Sequence, residues 1–442
     1  MSRAPDASKA STCPPMAPWF YRTLLVLIVP FALLRLWWRG RKQPGYRQHI
    51  GERFGFIALP DERPILWLHA VSVGETRAAE PLVQALLDQY PDHRILLTHM
   101  TPTGRATSTS LYRDPRITIA YVPYDLTNAV DRFLKRIRPT LALLMETEIW
   151  PNLILRCRYH GVPVMLINAR LSERSGRRYG RFKSLIRPVL AALNATGAQT
   201  PADAERLAAL GAYPVSVTGN LKFDVRINPN QQELGKSWRD AATAGQATDR
   251  HVWLAASTRE GEEALVIAAH QILCTRFAAR SPLLVLVPRH PQRFDDVAAQ
   301  VEREGLTLVR RSQAQPDSAT QVWLGDSMGE MVAYYSMADL AVIGGTLLPF
   351  GGQNLIEAAA CGTPLLIGPH TYNFKAAAEL AETTGAAQRL HEITPERLAK
   401  AISALLMDAT YLAQARTATE HFVGSATGAT ERTCTLIRQV LR

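Results

Sequence analysis

The sequence predicts an α/β protein of two doubly wound, parallel-sheet domains preceded by one apolar helix. Three observations predict it. Short, continuous apolar runs alternate with helical patterns, as expected of strands covered on both faces and joined by crossover helices. The alternation occurs twice, on either side of a polar stretch with no clear period. A single uncharged segment near the start is bracketed by arginines and aromatic residues. The length of 442 residues suits two full cores without staples.

Residues 1–18 read as a flexible tail and 19–43 as a membrane anchor helix of the uncleaved, signal-anchor kind. The stretch 23–34 carries no charge, with Arg22 and Arg35 at its edges and Trp19, Phe20, Tyr21, Trp37 and Trp38 around it. That core is shorter than the ~20 residues of a spanning helix. Arginines snorkel, however, and aromatic side chains settle at the membrane interface. Arg39, Arg41, Lys42 and Arg47 follow, and by the positive-inside rule they place the rest of the chain in the cytoplasm. A cleaved signal peptide is disfavoured, because the run ends in Trp-Trp-Arg and not in small residues.

The first domain is expected over 44–226, with strands at 65–69, 94–98, 117–122, 141–145 and 164–167. A helix is expected at 151–159, where Pro151 suits the first turn. The polar stretch 227–249, with Gly235 and Gly245, reads as the linker. The second domain is expected over 250–442, with strands at 252–256, 283–287, 321–324, 340–343 and 365–367 and helices at 260–276 and 292–304. Its last helix is placed so that it can pack back on the first domain. Two Rossmann-like halves facing a cleft is the architecture this pattern draws.

Composition narrows the function. Hydrophobic residues at 47% and charged residues at 20% exclude a disordered or collagen-like chain. The net charge of +11 points to anionic partners: nucleic acid, an acidic lipid surface or phosphorylated substrates. The cysteines Cys13, Cys157, Cys274, Cys361 and Cys434 are scattered, with no Cys-x-x-Cys pair. This argues against a disulfide framework or zinc site and for a reducing compartment.

In open α/β sheets ligands bind beyond the carboxyl ends of the strands, so the loops after strands hold the candidates. After the first strand, His69-Ala70-Val71-Ser72-Val73-Gly74-Glu75 puts Glu75 in the first turn of a helix. The positive end of that helix favours an ionised carboxylate able to accept a proton from a hydroxyl; a plain helix-start glutamate is the competing reading. Pro81 should kink this helix. After the fourth strand, Glu146 and Glu148 stand at i and i+2, and in extended geometry both point the same way. They suit orienting a sugar hydroxyl, or merely capping and solvation. In Gly219-Asn220-Leu221-Lys222-Phe223-Asp224, Lys222 suits a phosphate or carboxylate, or is a surface lysine.

In the second half, Arg289 of Pro288-Arg289-His290 ends a strand where its fork suits phosphate oxygens. His290 is a candidate base or an exposed turn histidine. The stretch from Val342 to Ala359 reads strand, Gly-rich loop, helix start. Its glycines allow close backbone approach, its helix start would offer free N–H groups to an anion, and Glu357 suits ribose hydroxyls. A tight structural turn is the alternative. No P-loop, Asp-x-Asp, His-Glu-x-x-His or dinucleotide fingerprint is present, so a metal-dependent sugar-nucleotide site is unsupported. The basic run Arg170, Arg174, Arg177, Arg178, Arg181, Lys183 and Arg187 is a solvated helix face or a contact for phosphorylated lipid.

Taken in order, the motifs from His69 to Glu75, Glu146-Thr147-Glu148-Ile149-Trp150-Pro151-Asn152, Gly219 to Asp224, Pro288-Arg289-His290 and Gly351 to Glu357 resemble the Kdo transferases of Gram-negative bacteria (Kdo, 3-deoxy-D-manno-octulosonic acid). The likeness runs from about Trp19 to the C-terminus, and the ordered set is far more specific than any one motif. The resemblance implies a GT-B glycosyltransferase on the cytoplasmic face of the inner membrane. It would transfer Kdo from CMP-Kdo to a tetraacylated, bisphosphorylated lipid A precursor in lipopolysaccharide synthesis, with inversion and without a metal. It implies Glu75 as general base, supported by Glu146 or Glu148 and by Lys222. It assigns CMP to Pro288 and Arg289, to Met328, Gly329 and Glu330, and to Asn354, Leu355, Ile356 and Glu357. CMP-Kdo is then a co-substrate and no cofactor is expected. The expected partners are the lipid A precursor and anionic inner-membrane lipids, with no nucleic acid. A nucleotide-sugar epimerase, an NAD-linked oxidoreductase and a non-catalytic, membrane-tethered lipid-binding module are the other readings.

Overall fold

The computed structural model describes residues 17–41, 43–225, 227–244, 250–277 and 281–442. The tail expectation up to residue 16, Lys42 and the end of the linker expectation at 245–249 lie outside them. The chain forms two compact units: residues up to Asp224 together with Thr427–Arg442, and Val225–Ala426.

The first unit is built on a seven-stranded sheet: β1 (Ile65–His69), β2 (Arg94–His99), β3 (Ile117–Tyr121), β4 (Pro139–Met145), β5 (Val164–Ala169), β6 (Ala195–Ala198) and β7 (Val215–Val217). Their order is β3-β2-β1-β4-β5-β6-β7, and every pairing is parallel. β1 is buried at all five positions. Its side chains divide between two cores, as a period of two requires. Ile65 and Trp67 join Phe133, Leu153 and Val189 on one face. Leu66 and Leu68 join Leu82, Leu86 and Ile437 on the other.

The second unit repeats the plan with β8 (Val252–Thr258), β9 (Leu283–Pro288), β10 (Leu308–Arg310), β11 (Val322–Leu324), β12 (Leu340–Ile343), β13 (Leu365–Ile367) and β14 (Ala387–Arg389). The order β10-β11-β9-β8-β12-β13-β14 is again all parallel. Strand order reverses between β1 and β4 in one sheet and between β8 and β12 in the other. These are the switch points at which parallel sheets open a crevice at their carboxyl ends.

Three local expectations are corrected. The stretch read as a linker contains a helix, Pro229–Thr243, capped by the Asn228 side chain and belonging to the second unit. Trp238 holds it there, packed edge-on against Trp323 with ring centroids 4.9 Å apart. Pro81 does not kink a helix. The helix Val73–Ala78 stops, and a new one, Glu80–Gln89, begins with Pro81 in its first turn, where the missing N–H is harmless. Glu146 and Glu148 are not extended. β4 ends at Met145, Glu146 turns into the left-handed region at φ 53°, and Glu148 N–H closes a turn onto Met145 O.

The apolar segment forms one helix, Trp19–Arg39. Among the described residues it is the helix long and apolar enough to cross a membrane by length and composition.

Candidate active site

Glu75, Glu146, Glu148 and Lys222 all lie at the carboxyl edge of the first sheet, and the first three flank its switch point. Ser72 and Glu75 form a capping box. Ser72 Oγ accepts from Glu75 N–H at 3.3 Å, and the Glu75 carboxylate accepts from Val71 N–H (2.8 Å) and Ser72 Oγ–H (2.9 Å). The side chain is therefore fixed, with one lone pair on each oxygen still able to accept. Glu75 is only 8% exposed. Burial raises its pKa above the usual carboxylate range, and the negative charges of Glu146 and Glu148 add to the rise. Burial outweighs the opposing hydrogen bonds, so this carboxylate holds a proton more tightly than an exposed one.

The neighbouring acids take different partners. Glu146 Oε1 meets Lys222 Nζ at 3.1 Å. Glu148 Oε2 accepts from Trp150 Nε1–H at 2.7 Å and lies 3.8 Å from His69 Nε2. His69 is completely buried, and its Nδ1 donates to the Thr98 carbonyl at 2.9 Å. Its Nε2 has no hydrogen-bond partner among the described residues. Lys222 rides on the turn Leu221–Phe223, capped by Asn220 and anchored where Asn168 Oδ1 accepts from Leu221 N–H. Asp224 of the same motif is structural. Its carboxylate accepts from Gly428 N–H (2.7 Å) and Thr430 N–H (2.5 Å) at the start of the helix Ala429–Leu441.

In the second unit, Pro288 ends β9 and Arg289 follows it, its N–H bonding to Thr258 O at the end of β8. Arg289 is exposed. Met328 and Gly329 are exposed in the loop after β11. Glu330 is tied to Arg311 at 3.0 Å and to the Ser327 hydroxyl, so the structure gives this acid a scaffold partner. The Gly-rich loop follows β12. Glu262, fully buried, gathers it: Oε2 accepts from Arg259 and Gly345 N–H, and Oε1 from Leu347 and Leu348 N–H, at 2.7–3.3 Å. Gly351 and Gly352 take φ 91° and 86°, a region that residues with a Cβ avoid. The expected helix start is shorter than the sequence suggests. It covers only Ile356–Ala360, and Asn354 Oδ1 accepts from Ile356 N–H at 3.1 Å. Leu355 and Ile356 are buried, whereas Asn354 and Glu357 are half-buried.

The arginines Arg170, Arg174, Arg177, Arg178 and Arg181 are exposed around the helix Glu173–Gly180. Arg177 pairs with Glu173 at 3.4 Å. Burial raises the pKa of Tyr179 on that helix, and the charge of Glu148 adds to the rise. Sequence reasoning missed Glu262, His69 and Asn168 as site-shaping residues. Each sits within or just after a strand, which was the available signal. Among the described residues no three His, Cys, Asp or Glu side chains group to hold a metal ion.

Two parallel-sheet units with loops of this kind at their carboxyl edges define the GT-B class of nucleotide-sugar enzymes. The fold matches a glycosyltransferase from Rickettsia africae (TM-score 0.55, 12% identity, 86% of this chain and 100% of that one). It also matches a UDP-GlcNAc 2-epimerase from Neisseria meningitidis (TM-score 0.54, 14% identity, 86% and 99%). At such identities the likeness is one of fold alone. Sequence is more specific. A family model described as 3-deoxy-D-manno-octulosonic-acid transferase matches residues 48–225. The 3-deoxy-D-manno-octulosonic acid transferase of Bordetella pertussis is 45% identical over 380 residues, 84% of this chain and 87% of that one. Its namesake from Haemophilus influenzae is 38% identical, covering 88% and 90%. The chain belongs to the 3-deoxy-D-manno-octulosonic acid transferase family.

Proposed function

We propose that this Kdo transferase moves Kdo from CMP-Kdo onto lipid IVA, the tetraacylated, bisphosphorylated lipid A precursor, at the cytoplasmic face of the inner membrane. The observation that carries the reading is Glu75: a locked, desolvated carboxylate with elevated proton affinity at the switch point of the first sheet. There it takes the proton of the attacking acceptor hydroxyl. An inverting displacement needs this one base and no enzyme nucleophile. Lys222 pairs with Glu146 and partly offsets its charge.

CMP leaves carrying one phosphate. Arg289 and those N–H groups of the Gly-rich loop that Glu262 does not hold supply the positive potential it needs, so the reaction proceeds without a metal. Asn354 and Glu357 serve the nucleotide-sugar hydroxyls, and Pro288, Met328, Gly329 and Glu330 shape the pocket for the cytidine. The exposed arginines from Arg170 to Arg181 meet the acceptor phosphates and anionic headgroups. Mass spectrometry of lipid recovered from purified protein, CMP-Kdo and lipid IVA tests the reading. The lipid is expected to gain the mass of one or more Kdo residues. Release of CMP with an unchanged lipid, or no consumption of CMP-Kdo, overturns it.

A further inference from the structure

The helix Trp19–Arg39 has 21 residues, about 31 Å at 1.5 Å per residue, which matches the hydrocarbon thickness of a bilayer. Its length alone therefore suits a crossing helix. Its attachments do not.

The start of the helix is held to the first unit. Ala17 is buried against the core. Tyr21 Oη–H donates to Asp125 Oδ2 at 2.8 Å, and that carboxylate also accepts from Asn152 and Leu153 N–H. The end is held to the same unit. Arg47 donates to Trp37 O from Nη2 at 2.8 Å, and the Arg39 guanidinium lies 5.0 Å from the centre of the Tyr46 ring. The turn Pro44–Arg47 is tied in by Tyr121 Oη–H, which donates to Gly45 O at 3.3 Å. Tyr121 ends β3 and Asp125 follows four positions later, so both ends of the helix are fastened to one stretch of the globular unit.

The faces of the helix agree with this. Tyr21, Leu25, Val29, Leu33 and Leu36 are half-buried, at the three-to-four-residue spacing of one stripe. Phe20, Leu24, Leu27, Phe31, Leu34 and Trp38 are exposed. Arg35, Arg39 and Arg41 are exposed with them, and Arg22 is half-buried. A crossing helix would carry one end, with its polar partners on the globular unit, to the far side of the bilayer.

We infer that this helix lies in the plane of one leaflet and does not cross the membrane. Its exposed aromatic and aliphatic face enters the acyl boundary, its arginines meet anionic headgroups, and its half-buried stripe stays on the protein. The occupant of that face is an anionic phospholipid leaflet. A hollow of about 560 Å³ beside the first turns fits the same partner, since Arg22 and Arg132 line it together with Trp19, Val26, Phe54 and Leu126, and no acid does.

The inference rests on the reading that the enzyme works at a membrane, and one experiment separates the two. The full chain, with its five cysteines changed to serine, receives a single cysteine as Trp19→Cys or Trp38→Cys. Both are expressed into inverted inner-membrane vesicles and exposed to a membrane-impermeant maleimide. Equal labelling of both, without detergent, is expected. Labelling of Trp38→Cys with Trp19→Cys protected until detergent is added overturns the in-plane placement and leaves membrane association standing. A chain that does not float with the vesicles overturns the membrane reading itself. A bimane on Phe31→Cys in phosphatidylglycerol vesicles gives a second readout. Quenching by nitroxides near the headgroups should exceed quenching by nitroxides deep in the acyl chains, and the reverse order overturns the proposal.

Discussion

Glu75 does two jobs with one side chain, because the bonds that close its capping box also hold its carboxylate still. Glu75→Ala is expected to lower transfer by about 10²–10⁴-fold while CMP, whose proposed contacts lie in the second unit, still binds; single-turnover assays and calorimetric titration with CMP check this. The sign of its pH effect follows from its pKa, which burial, Glu146 and Glu148 raise. A base acts ionised, so kcat/KM falls as pH drops through that raised value. Glu146→Gln removes one of the raising charges and should move the acid limb to lower pH, whereas Lys222→Met exposes that charge and should move it higher. Asp125 gives a separate signature. Burial pushes its pKa up to about 6. The folded state therefore binds this proton more tightly than the unfolded chain, with its value near 3.9. The stability so gained, roughly 3 kcal/mol, is present below pH ~4 and is lost as pH rises through about 6. Urea titrations across that window should show the slope in the parent and a flatter profile in Asp125→Asn.

Among the elements, strands with an apolar run were legible in the sequence, the edge strand β3 included, and several short ones were not. β1, β12 and β13 match the expected bounds residue for residue, because a strand buried on both faces must be an unbroken apolar run. β6, β7, β10 and β14 are three or four residues long and go unrecognised. Ala-Thr-Gly-Ala has no apolar run to detect, and such strands are specified by the neighbours they pair with. The helix Pro229–Thr243 hid in a polar stretch because one aromatic anchor, Trp238, suffices to dock it; its Asn228-Pro229 start was the readable sign. Local motifs pointed to the loops after the strands. They could not show that Glu262 ties β8 to the loop after β12, since that contact spans more than 80 positions of chain. Glu262→Ala strands four N–H donors, two of them buried, each charge-assisted bond being worth about 1.5–3 kcal/mol. Both the melting temperature and CMP affinity are expected to fall, by thermal shift and titration. Unchanged CMP affinity would detach this loop from nucleotide binding.

At the scale of the whole molecule, the proposed chemistry draws on residues of both units. Charge stabilisation by arginine and backbone N–H groups predicts that EDTA leaves turnover unchanged; loss of activity restored by a divalent ion would contradict it. The chain passes from the first unit to the second just after Asp224 and comes back at Thr427. Asp224 itself clasps the returning segment. One carboxylate thus staples the point of departure to the point of re-entry, and the final helix plugs apolar surface of a unit whose other elements were synthesised some two hundred residues earlier. Nascent chains must therefore wait for their last sixteen residues before that unit is sealed. A stop codon after Ala426 would leave a greasy, unlidded sheet, and quality-control proteases should find it even though every residue assigned here to catalysis is still in place.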